Sequence, residues 1–204
     1  AKEAFCQGSR AAFGDSLERG IQMEEMIRAT VQALCSLKIQ YVIIGGIAAS
    51  IWGRPRMTMD ADIVIVASPE NVARLLELLE QSGFQISLAT KKKLLNNLPA
   101  KVRYDKRLSV DLRLATYTLD KQALKRSHPV TLFGVRPPVA SAEDIIVYKA
   151  ARFNDLDKAD IKAIILRQKK KLDSKYIVET CQQLIAETRD EKIGENLQVV
   201  LSWL

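Results

Sequence analysis

The spacing of apolar residues switches along the chain between a helical and a strand period. Between Ser16 and Leu37 apolar residues recur every three or four positions, which predicts an amphipathic helix. The run Gln40–Ile44 predicts a buried strand that ends at a pair of glycines, and the β-branched run Asp60–Val66 predicts a second strand. A short helix is expected between them, at Ile47–Trp52. The first third of the chain is therefore predicted to form a helix followed by a strand–helix–strand unit.

Hydrophobic and polar residues follow a less regular pattern in the middle of the chain. Ser68 and Pro69 are typical of a helix start, and Gly83 is typical of its end. The other expectations here are a strand at Phe84–Leu88, a short polar helix or loop at Lys91–Asn97, a hairpin pair at Lys101–Tyr104 and Leu108–Leu114, and an edge strand at Val130–Phe133.

The last third of the chain has a helical period throughout. Helices are predicted at Ser141–Arg152, Asp157–Gln168, Ser174–Glu187 and about Glu191–Leu204. The pattern as a whole predicts an α/β (α+β) protein with a mixed, twisted sheet flanked by helices and a helical C-terminal region. We expect a tail or expression remnant at 1–14, an α/β core at 15–140 and a helical region at 141–204 that packs on the core.

Composition excludes several classes of protein and of chemistry. The chain has 204 residues, 48% of them hydrophobic and 27% charged, as is ordinary for a globular protein. Its one histidine, His128, and its three widely spaced cysteines argue against a zinc site, a disulfide framework and a Ser-His-Asp triad. We therefore expect structural roles for these residues. Chemistry must depend on carboxylates, lysines and arginines, which favours hard cations and phosphates.

No segment has the pattern of a membrane anchor or a secretory signal. The longest apolar stretch, residues 41–53, is shorter than the roughly 20 residues that a bilayer requires, and charged residues interrupt positions 1–20. We expect a cytoplasmic protein with no membrane partner.

Positive charge is concentrated in one segment. Residues 91–126 contain eleven basic and three acidic side chains, a net charge of +8, whereas the whole chain carries +7. Such a local field attracts polyanions, including nucleoside triphosphates and nucleic acid. The alternative is a solvated lysine-rich surface that only keeps the protein soluble.

Three aspartates lie in predicted strands. Asp60 and Asp62 are two residues apart, so their side chains project from the same face of one strand, and Asp111 lies between apolar neighbours in a later strand. Carboxylates this close repel one another unless a cation lies between them. If the two strands are neighbours, the three carboxylates converge as a metal-dependent phosphoryl or nucleotidyl transfer site requires.

Gly45 and Gly46 form the second element of this candidate site. They lack a Cβ atom, so the backbone can approach a phosphate closely, and the helix that follows directs free N–H groups toward it. Taken singly, a Gly-Gly pair is often only a tight turn and an Asp-x-Asp motif only a solvated strand end. Their combination with Asp111 is more specific.

The stretch 45–62, GGIAASIWGRPRMTMDAD, resembles the signature of the polymerase-beta-like nucleotidyltransferase superfamily. Its Gly-Arg-x-Arg-x-Thr-x-Asp-x-Asp pattern is similar to the bacterial branch of the AbiEii-type toxins. The resemblance implies that Gly45 and Gly46 hold the nucleotide phosphates. It also implies that Asp60, Asp62 and Asp111 bind Mg²⁺ or Mn²⁺.

This sequence departs from the superfamily pattern at one position. Many members have a serine after or within the glycine pair, where Ile47 stands here. The backbone or Ser50 would then have to supply the phosphate contact.

The second half of the chain resembles the same branch. Residues 141–149, SAEDIIVYK, are similar to its Ser-Pro-Glu-Asp-Leu-x-x-x-Lys helix, and Asp157 and Asp160 are similar to its later acidic motif. The resemblance implies that Lys149 reaches the triphosphate while Asp160 orients it or the acceptor. The alternative is a structural Lys149–Asp160 pair that locks two helices, or a snorkelling lysine. Arg54, Arg56 and Arg113 are candidate phosphate or acceptor contacts.

The resemblance implies a metal-dependent transfer of a nucleoside monophosphate from a nucleoside triphosphate to an acceptor hydroxyl. A tRNA or other RNA end is the leading acceptor, and a small molecule such as an aminoglycoside, or a protein hydroxyl, is less favoured. An antitoxin protein is the partner that a toxin–antitoxin role would require. The rival hypothesis is a catalytically silent module of the same fold that binds nucleotide, RNA or a partner protein.

Overall fold

The computed structural model of the protein describes residues 20–204. The predicted tail at 1–14 and the predicted helix start at Ser16 lie outside the described residues. Helix α1 includes residues 20–36, and its buried stripe contains the apolar positions that the sequence pattern selected: Met23, Ile27, Val31 and Leu34.

Within residues 20–204, six strands form one sheet in the order β3-β4-β2-β1-β6-β5. The strands are β1 (Gln40–Ile44), β2 (Asp60–Val66), β3 (Ala100–Arg103), β4 (Ser109–Leu114), β5 (His128–Pro129) and β6 (Pro138–Val139). Strand β2 is antiparallel to β1 and parallel to β4, and β3 is antiparallel to β4. The sheet is therefore mixed, as predicted, and β2 lies between the strand that ends in the glycine pair and the strand that carries Asp111.

Eight helices follow α1 in the described chain. They are α2 (Gly45–Trp52), α3 (Pro69–Gln81), α4 (Leu88–Leu95), α5 (Thr118–Arg126), α6 (Ala142–Arg152), α7 (Asp155–Gln168), α8 (Ser174–Thr188) and α9 (Lys192–Leu201), with a 3₁₀ turn at Lys169–Lys171. The predicted helical C-terminal region is thus confirmed. None of the helices in the described part of the chain combines the length and apolar character that crossing a bilayer would need.

Side-chain caps fix several helix starts. Ser68 accepts a hydrogen bond from the backbone N–H of Asn71 at the start of α3. Ser141 and Asp144 form a reciprocal capping box at the start of α6, as their spacing predicted. Helix α7 begins at Asp155, two residues before the predicted start at Asp157. Asn154 is its N-cap residue, and Asp157, the third residue of the helix, completes the capping box.

Two strand predictions were wrong. At Phe84–Leu88 only Gln85 makes an isolated bridge, because Ser87 caps α4 and the helix begins at Leu88. The edge strand expected at Val130–Phe133 lies earlier, at His128–Pro129. Prolines at 129, 137 and 138 lack the N–H groups that a longer ladder needs.

The central strands are covered on both faces. Consecutive residues Val42 and Ile43 in β1, and Ile63, Val64 and Ile65 in β2, are all almost fully buried. Side chains of successive strand residues point to opposite faces, so both faces of the sheet must be packed. Helix α2 lies between strands β1 and β2 and helices α6 and α7. The glycine pair that begins α2 is held in place by this packing.

Candidate active site

The register of the sheet brings the three aspartates to one face. Asp62 is directly opposite Asp111 across the parallel β2–β4 pair, and Asp60 is opposite Ser109. Neighbouring strands are about 4.8 Å apart, and paired residues point to the same side. Asp60, Asp62 and Asp111, here called the carboxylate cluster, therefore share one face of the sheet.

The glycine pair packs directly against this cluster. Ile44, the last residue of β1, is opposite Asp62, so the turn at Gly45 and Gly46 follows immediately beside it. Gly45 has a φ of +65°, and a Cβ atom there would lie 1.9 Å from Asp62 Oδ2. The N–H of Gly46 donates to Asp62 Oδ2 at 3.4 Å. Only glycine at position 45 permits this approach, because a side chain would clash and the left-handed backbone would be strained.

The carboxylate cluster is short of positive charge. Burial raises the pKa of the Asp62 carboxyl above its ordinary value, against the opposing effects of the Gly46 N–H and the charges of Arg152 and Lys149. Burial also raises the pKa of Asp111, and the Asp62 charge adds to the rise. Asp111 Oδ1 is buried without a hydrogen-bond partner among the described residues. Burial removes the hydrogen bonds that this oxygen would make to water, and no hydrogen bond within the described residues replaces them.

Lys101 supplies the one ammonium that contacts the cluster in the described structure. It is opposite Asp111 in the antiparallel β3–β4 pair, and its Nζ lies 3.1 Å from Asp60 Oδ1 and 3.7 Å from Asp111 Oδ2. Ser109 Oγ donates to the same Asp60 oxygen at 2.5 Å. Neither Lys101 nor Ser109 was predicted from the sequence as a site residue. Ser109 could have been found, because it lies two positions before Asp111 and so on the same strand face.

The donor set of the cluster suits a hard divalent cation. Three carboxylates supply oxygen ligands of the kind that Mg²⁺ and Mn²⁺ prefer, and one of these oxygens has no other partner. In the conformation described, no three His, Cys, Asp or Glu side chains within residues 20–204 are grouped as a metal site. The ammonium of Lys101, which contacts two of the carboxylates, explains how the cluster is held together in this conformation.

A second group of charged residues lies behind the glycine pair. Lys149 Nζ, almost fully buried, contacts Asp157 Oδ1 at 3.0 Å and Asp160 Oδ2 at 2.8 Å. Arg56 donates two hydrogen bonds of 2.9 Å to Asp160, and Arg152 donates two to Asp157. These five residues are here called the ion network. The structure thus brings together Lys149, Arg56 and Asp160, and the Lys149–Asp160 contact weighed as the structural alternative is present.

The ion network carries more positive than negative charge. Burial alone would raise the pKa of Asp157 and Asp160, but hydrogen bonds and charges from the surrounding cations outweigh it and hold both pKa values below the ordinary range. Three cations for two acids leave one net positive charge. This charge lies beside the glycine turn, since a Cβ atom on Gly46 would come within 3.3 Å of Arg56 Nη2.

The other candidate phosphate contacts are placed less directly. Ser50 Oγ is within hydrogen-bond distance of the backbone oxygens of Gly46 and Arg56, so its hydroxyl ties α2 to the following loop. Arg54 is exposed in that loop. Arg113 donates two hydrogen bonds to the fully buried Asp120.

A groove leads from the carboxylate cluster over the β3 edge of the sheet. One cavity of about 340 Å³ is lined by Asp62 and Asp111 together with Lys93, Lys101 and Arg113. A second, of about 580 Å³, shares Lys93 and Lys101 with the first and extends to Arg103. The first cavity extends from Ile44, the β1 residue immediately before the glycine pair, across β2 and β4 to Lys101 on β3.

The fold resembles that of several solved structures. Lincomycin-bound LnuA, a lincosamide antibiotic adenylyltransferase, shares 13% identity over 68% of this chain and 94% of its own, with a TM-score of 0.51. ANT(2")-Ia in complex with adenylyl-2"-tobramycin shares 17% over 88% and 97%, with a TM-score of 0.50. A candidate nucleotidyltransferase from H. pylori shares 15% over 90% and 95%, also at 0.50. Likeness at these identities concerns the fold, and it confirms the predicted nucleotidyltransferase fold.

Comparison of the sequence itself gives a narrower result. No curated protein matches the chain. The profile of DUF6036, described as a nucleotidyltransferase of unknown function, matches residues 22–203. The resemblance to the AbiEii branch stays a prediction, whereas the superfamily is confirmed. The chain belongs to the DUF6036 family of nucleotidyltransferases.

Proposed function

We propose that this protein transfers a nucleoside monophosphate from a nucleoside triphosphate to an acceptor hydroxyl, and that it uses a divalent cation bound by Asp60, Asp62 and Asp111. The observation that carries the proposal is the register of β2 and β4, which puts three carboxylates on one face beside a glycine turn. A protein that only bound nucleotide would have no need to hold three under-neutralised acids together, since they repel one another.

The carboxylate cluster is the place where Mg²⁺ or Mn²⁺ would be held. When bound, the cation supplies charge neutralisation for the triphosphate and polarises the phosphoryl group under attack. The residues contribute the ligand oxygens. Burial is the main cause of the raised pKa values of Asp62 and Asp111, and repulsion from the neighbouring aspartates adds to the rise.

Nucleotide phosphates are assigned to the glycine turn. The first N–H groups of α2 have no partner inside the helix, and the helix dipole favours a negative charge at this end. The net positive charge of the ion network lies just behind the turn, so Lys149 and Asp160 act here through the charge and rigidity of the network. Arg152 is the most exposed cation of that network, with a side chain 67% exposed, and it is the one best able to reach a ligand.

The reaction forms one bond and breaks one bond at the α-phosphorus. The acceptor oxygen bonds to phosphorus, the bond from phosphorus to the bridging oxygen of the β-phosphate breaks, and pyrophosphate leaves. Asp111 lies on the groove side of the cluster, with one buried oxygen free of partners. We assign it to orient the acceptor hydroxyl and to accept its proton.

The groove favours a polyanionic acceptor, and an RNA end is our leading candidate. Lys93 and Arg103 line it and make no ion pair with any residue in 20–204, so their charges are available to an incoming phosphate backbone. The basic residues that line the groove all belong to the segment 91–126, which carries the net charge of +8.

A toxin–antitoxin role, with an antitoxin protein as partner and action in the cytoplasm, rests on the sequence resemblance to the AbiEii branch. It would be tested by expressing the chain alone: growth arrest that requires Asp111 supports a toxin, and unimpaired growth contradicts it.

The transfer itself is tested with each of the four radiolabelled nucleoside triphosphates, Mg²⁺ or Mn²⁺ and total cellular RNA. Asp111→Asn should abolish labelling, whereas Asp155→Asn, a change at a fully exposed aspartate, should leave it intact. Label in RNA supports the proposal. Label in a small hydroxylated compound would keep the transferase and change the acceptor. No transfer by the wild type to RNA, protein or small molecule would favour the silent binding module.

The acceptor is tested separately by charge reversal. The Lys93→Glu, Arg103→Glu double variant should bind single-stranded RNA about tenfold or more weakly, with a flatter dependence on salt. The matched control is Lys170→Glu, Lys171→Glu, which makes the same charge change at exposed residues outside the groove. Equal RNA affinity of the two double variants, measured by fluorescence anisotropy, would contradict the assignment of the groove.

A further inference from the structure

Lys101 occupies a position that matters for cation binding. Strand β3 is at the edge of the sheet, and its Lys101 extends past Asp111 on β4 to reach Asp60 on β2. Its Nζ contacts both carboxylates, at 3.1 and 3.7 Å. An ammonium held between two carboxylates stands where a bound cation would also be most stable.

The contacts of Lys101 satisfy only part of the carboxylate cluster. It touches one oxygen of Asp60 and one of Asp111, leaves Asp111 Oδ1 without a partner and does not contact Asp62. One positive charge is thus shared by Asp60 and Asp111, and Asp62 has no ion pair within the described residues. The side chain is about half exposed (49%), and its flexible four-carbon stem can move without opening the core.

We propose that Lys101 is the resident counter-ion of Asp60 and Asp111 before a divalent cation binds, and that the cation displaces its ammonium into the groove. There Lys101 joins Lys93 and faces the phosphate of the acceptor. This inference rests on the divalent cation of the proposed function, but it concerns how the chain controls that cation.

Charge makes the two occupants mutually exclusive. An ammonium within hydrogen-bond distance of Asp60 and Asp111 repels a divalent cation that uses the same oxygens. Cation binding is therefore an exchange, and its affinity is lowered by the free energy of the Lys101 contacts. Lys101 already lines the groove, and displacement frees its charge from the two carboxylates, so cation and polyanion should each strengthen the binding of the other.

A purely structural role for Lys101 makes a different prediction. If it only ties β3 to β2, its removal weakens the fold equally with and without a divalent cation and leaves cation affinity unchanged. The exchange role predicts a protein that is less stable without the cation and binds it more tightly.

The test is a Mn²⁺ titration of the nucleotide-free protein, followed by electron paramagnetic resonance. Lys101→Met should bind Mn²⁺ about tenfold more tightly than the wild type, as expected when partly exposed ion pairs next to the site are removed. The control is Lys93→Met, which removes the same charge from the same groove but from a residue with no ion pair to the carboxylates. It should stay within about twofold of the wild type.

Thermal unfolding provides a second readout, with Lys101→Gln as an additional variant. Both Lys101 variants should melt below the wild type in EDTA and show a larger rise in Tm on adding Mn²⁺. Equal Mn²⁺ affinity and an equal rise in Tm for wild type and variants would overturn the exchange role while leaving the metal site intact. Absence of Mn²⁺ binding by every protein would overturn the divalent cation of the proposed function, and this inference with it.

Discussion

The carboxylate cluster and the ion network both adjoin the glycine turn, the cluster through Asp62 and the network through Arg56, but the pKa values of their aspartates shift in opposite directions. In the cluster the one ammonium contacts two of the three acids, Asp111 Oδ1 has no hydrogen-bond partner among the described residues, and burial raises the pKa of Asp62 and Asp111. In the network three cations surround two acids, and the pKa values of both acids are lowered. The residue type is the same in both, and the number of counter-charges differs.

This difference indicates separate jobs. Acids that are already paired have no need of a ligand, so the network stabilises the packing of α6 and α7 against the α2 turn. Acids that lack counter-charge gain by binding a cation. We therefore propose that the chemistry takes place at the cluster and that the network supplies rigidity and a positive field to the nucleotide phosphates.

The largest expected effect comes from neutralising the cluster. Asp62→Asn should lower nucleotidyl transfer by at least about 10²-fold, because a metal ligand is lost. Stability should be unchanged or higher, because an acid held at a raised pKa becomes neutral. Transfer assays and chemical denaturation measure the two effects. A clear loss of stability would show that Asp62 stabilises the fold, as the acids of the ion network do, and would contradict the difference between the two groups.

Neutralising the network should have the opposite effect. Asp160→Asn removes the acid that joins Arg56 to the buried Lys149 and should destabilise the protein by about 3 kcal/mol. The matched control is the exposed Asp155→Asn, with an expected change within about 0.5 kcal/mol. Urea unfolding measures both. If Asp160→Asn lowers the free energy of unfolding no more than its control does, the network does not stabilise the packing of α6 and α7.

The glycine turn between the two regions is tested by Gly45→Ala. The new Cβ atom would meet Asp62 Oδ2 in a left-handed backbone, so we expect a loss of about 2–3 kcal/mol together with loss of transfer. Gly83→Ala has the same kind of backbone, with φ +92°, but nothing within 4 Å, and it should cost only about 1 kcal/mol. Similar costs for the two variants would show that the clash with Asp62 contributes nothing.

The smallest expected effect is a contrast in pH dependence. Raised pKa values mean that the cluster stabilises the fold fully below the ordinary aspartate pKa of about 3.9 and loses this contribution as pH rises through the raised values. Lowered pKa values mean that the network stabilises above about 3.9 and loses its contribution as pH falls through the lowered values. Stability curves between pH 3 and 7 should therefore flatten above pH 4 in the Asp62→Asn, Asp111→Asn double variant, and below pH 4 in Asp160→Asn. Flattening in the same range would contradict the opposite signs.

Much of the fold could be predicted from the sequence, because periodicity and capping act locally. Strands β1 and β2 match their predicted bounds, and the capping residues Ser68 and Ser141 mark the starts of α3 and α6. Helix α5 was missed, because its short, highly charged sequence gains its helical structure from tertiary contacts. The buried Asp120 of this helix accepts hydrogen bonds from Arg113 in β4, and no local sequence pattern indicates that contact.

The residues of the candidate site likewise divide into those that local sequence patterns indicate and those that only the strand order and register bring to the site. The residue types and the two-residue spacing in β2 indicated Asp60 and Asp62, and a single acid in an apolar strand indicated Asp111. That β4 is the parallel neighbour of β2 depends on strand order, which one sequence does not specify. Lys101 was only one of eleven bases in its segment, and only the β3–β4 register distinguishes it from the others.

The central claim is tested most directly by a crystal grown with Mn²⁺ and a non-hydrolysable nucleoside triphosphate, measured at the manganese edge. We predict an anomalous peak at the carboxylate cluster, coordinated by oxygens of Asp62 and Asp111, with the triphosphate at the glycine turn and the Lys101 ammonium moved away. A structure with bound nucleotide, no anomalous peak and Lys101 still between Asp60 and Asp111 would contradict the account.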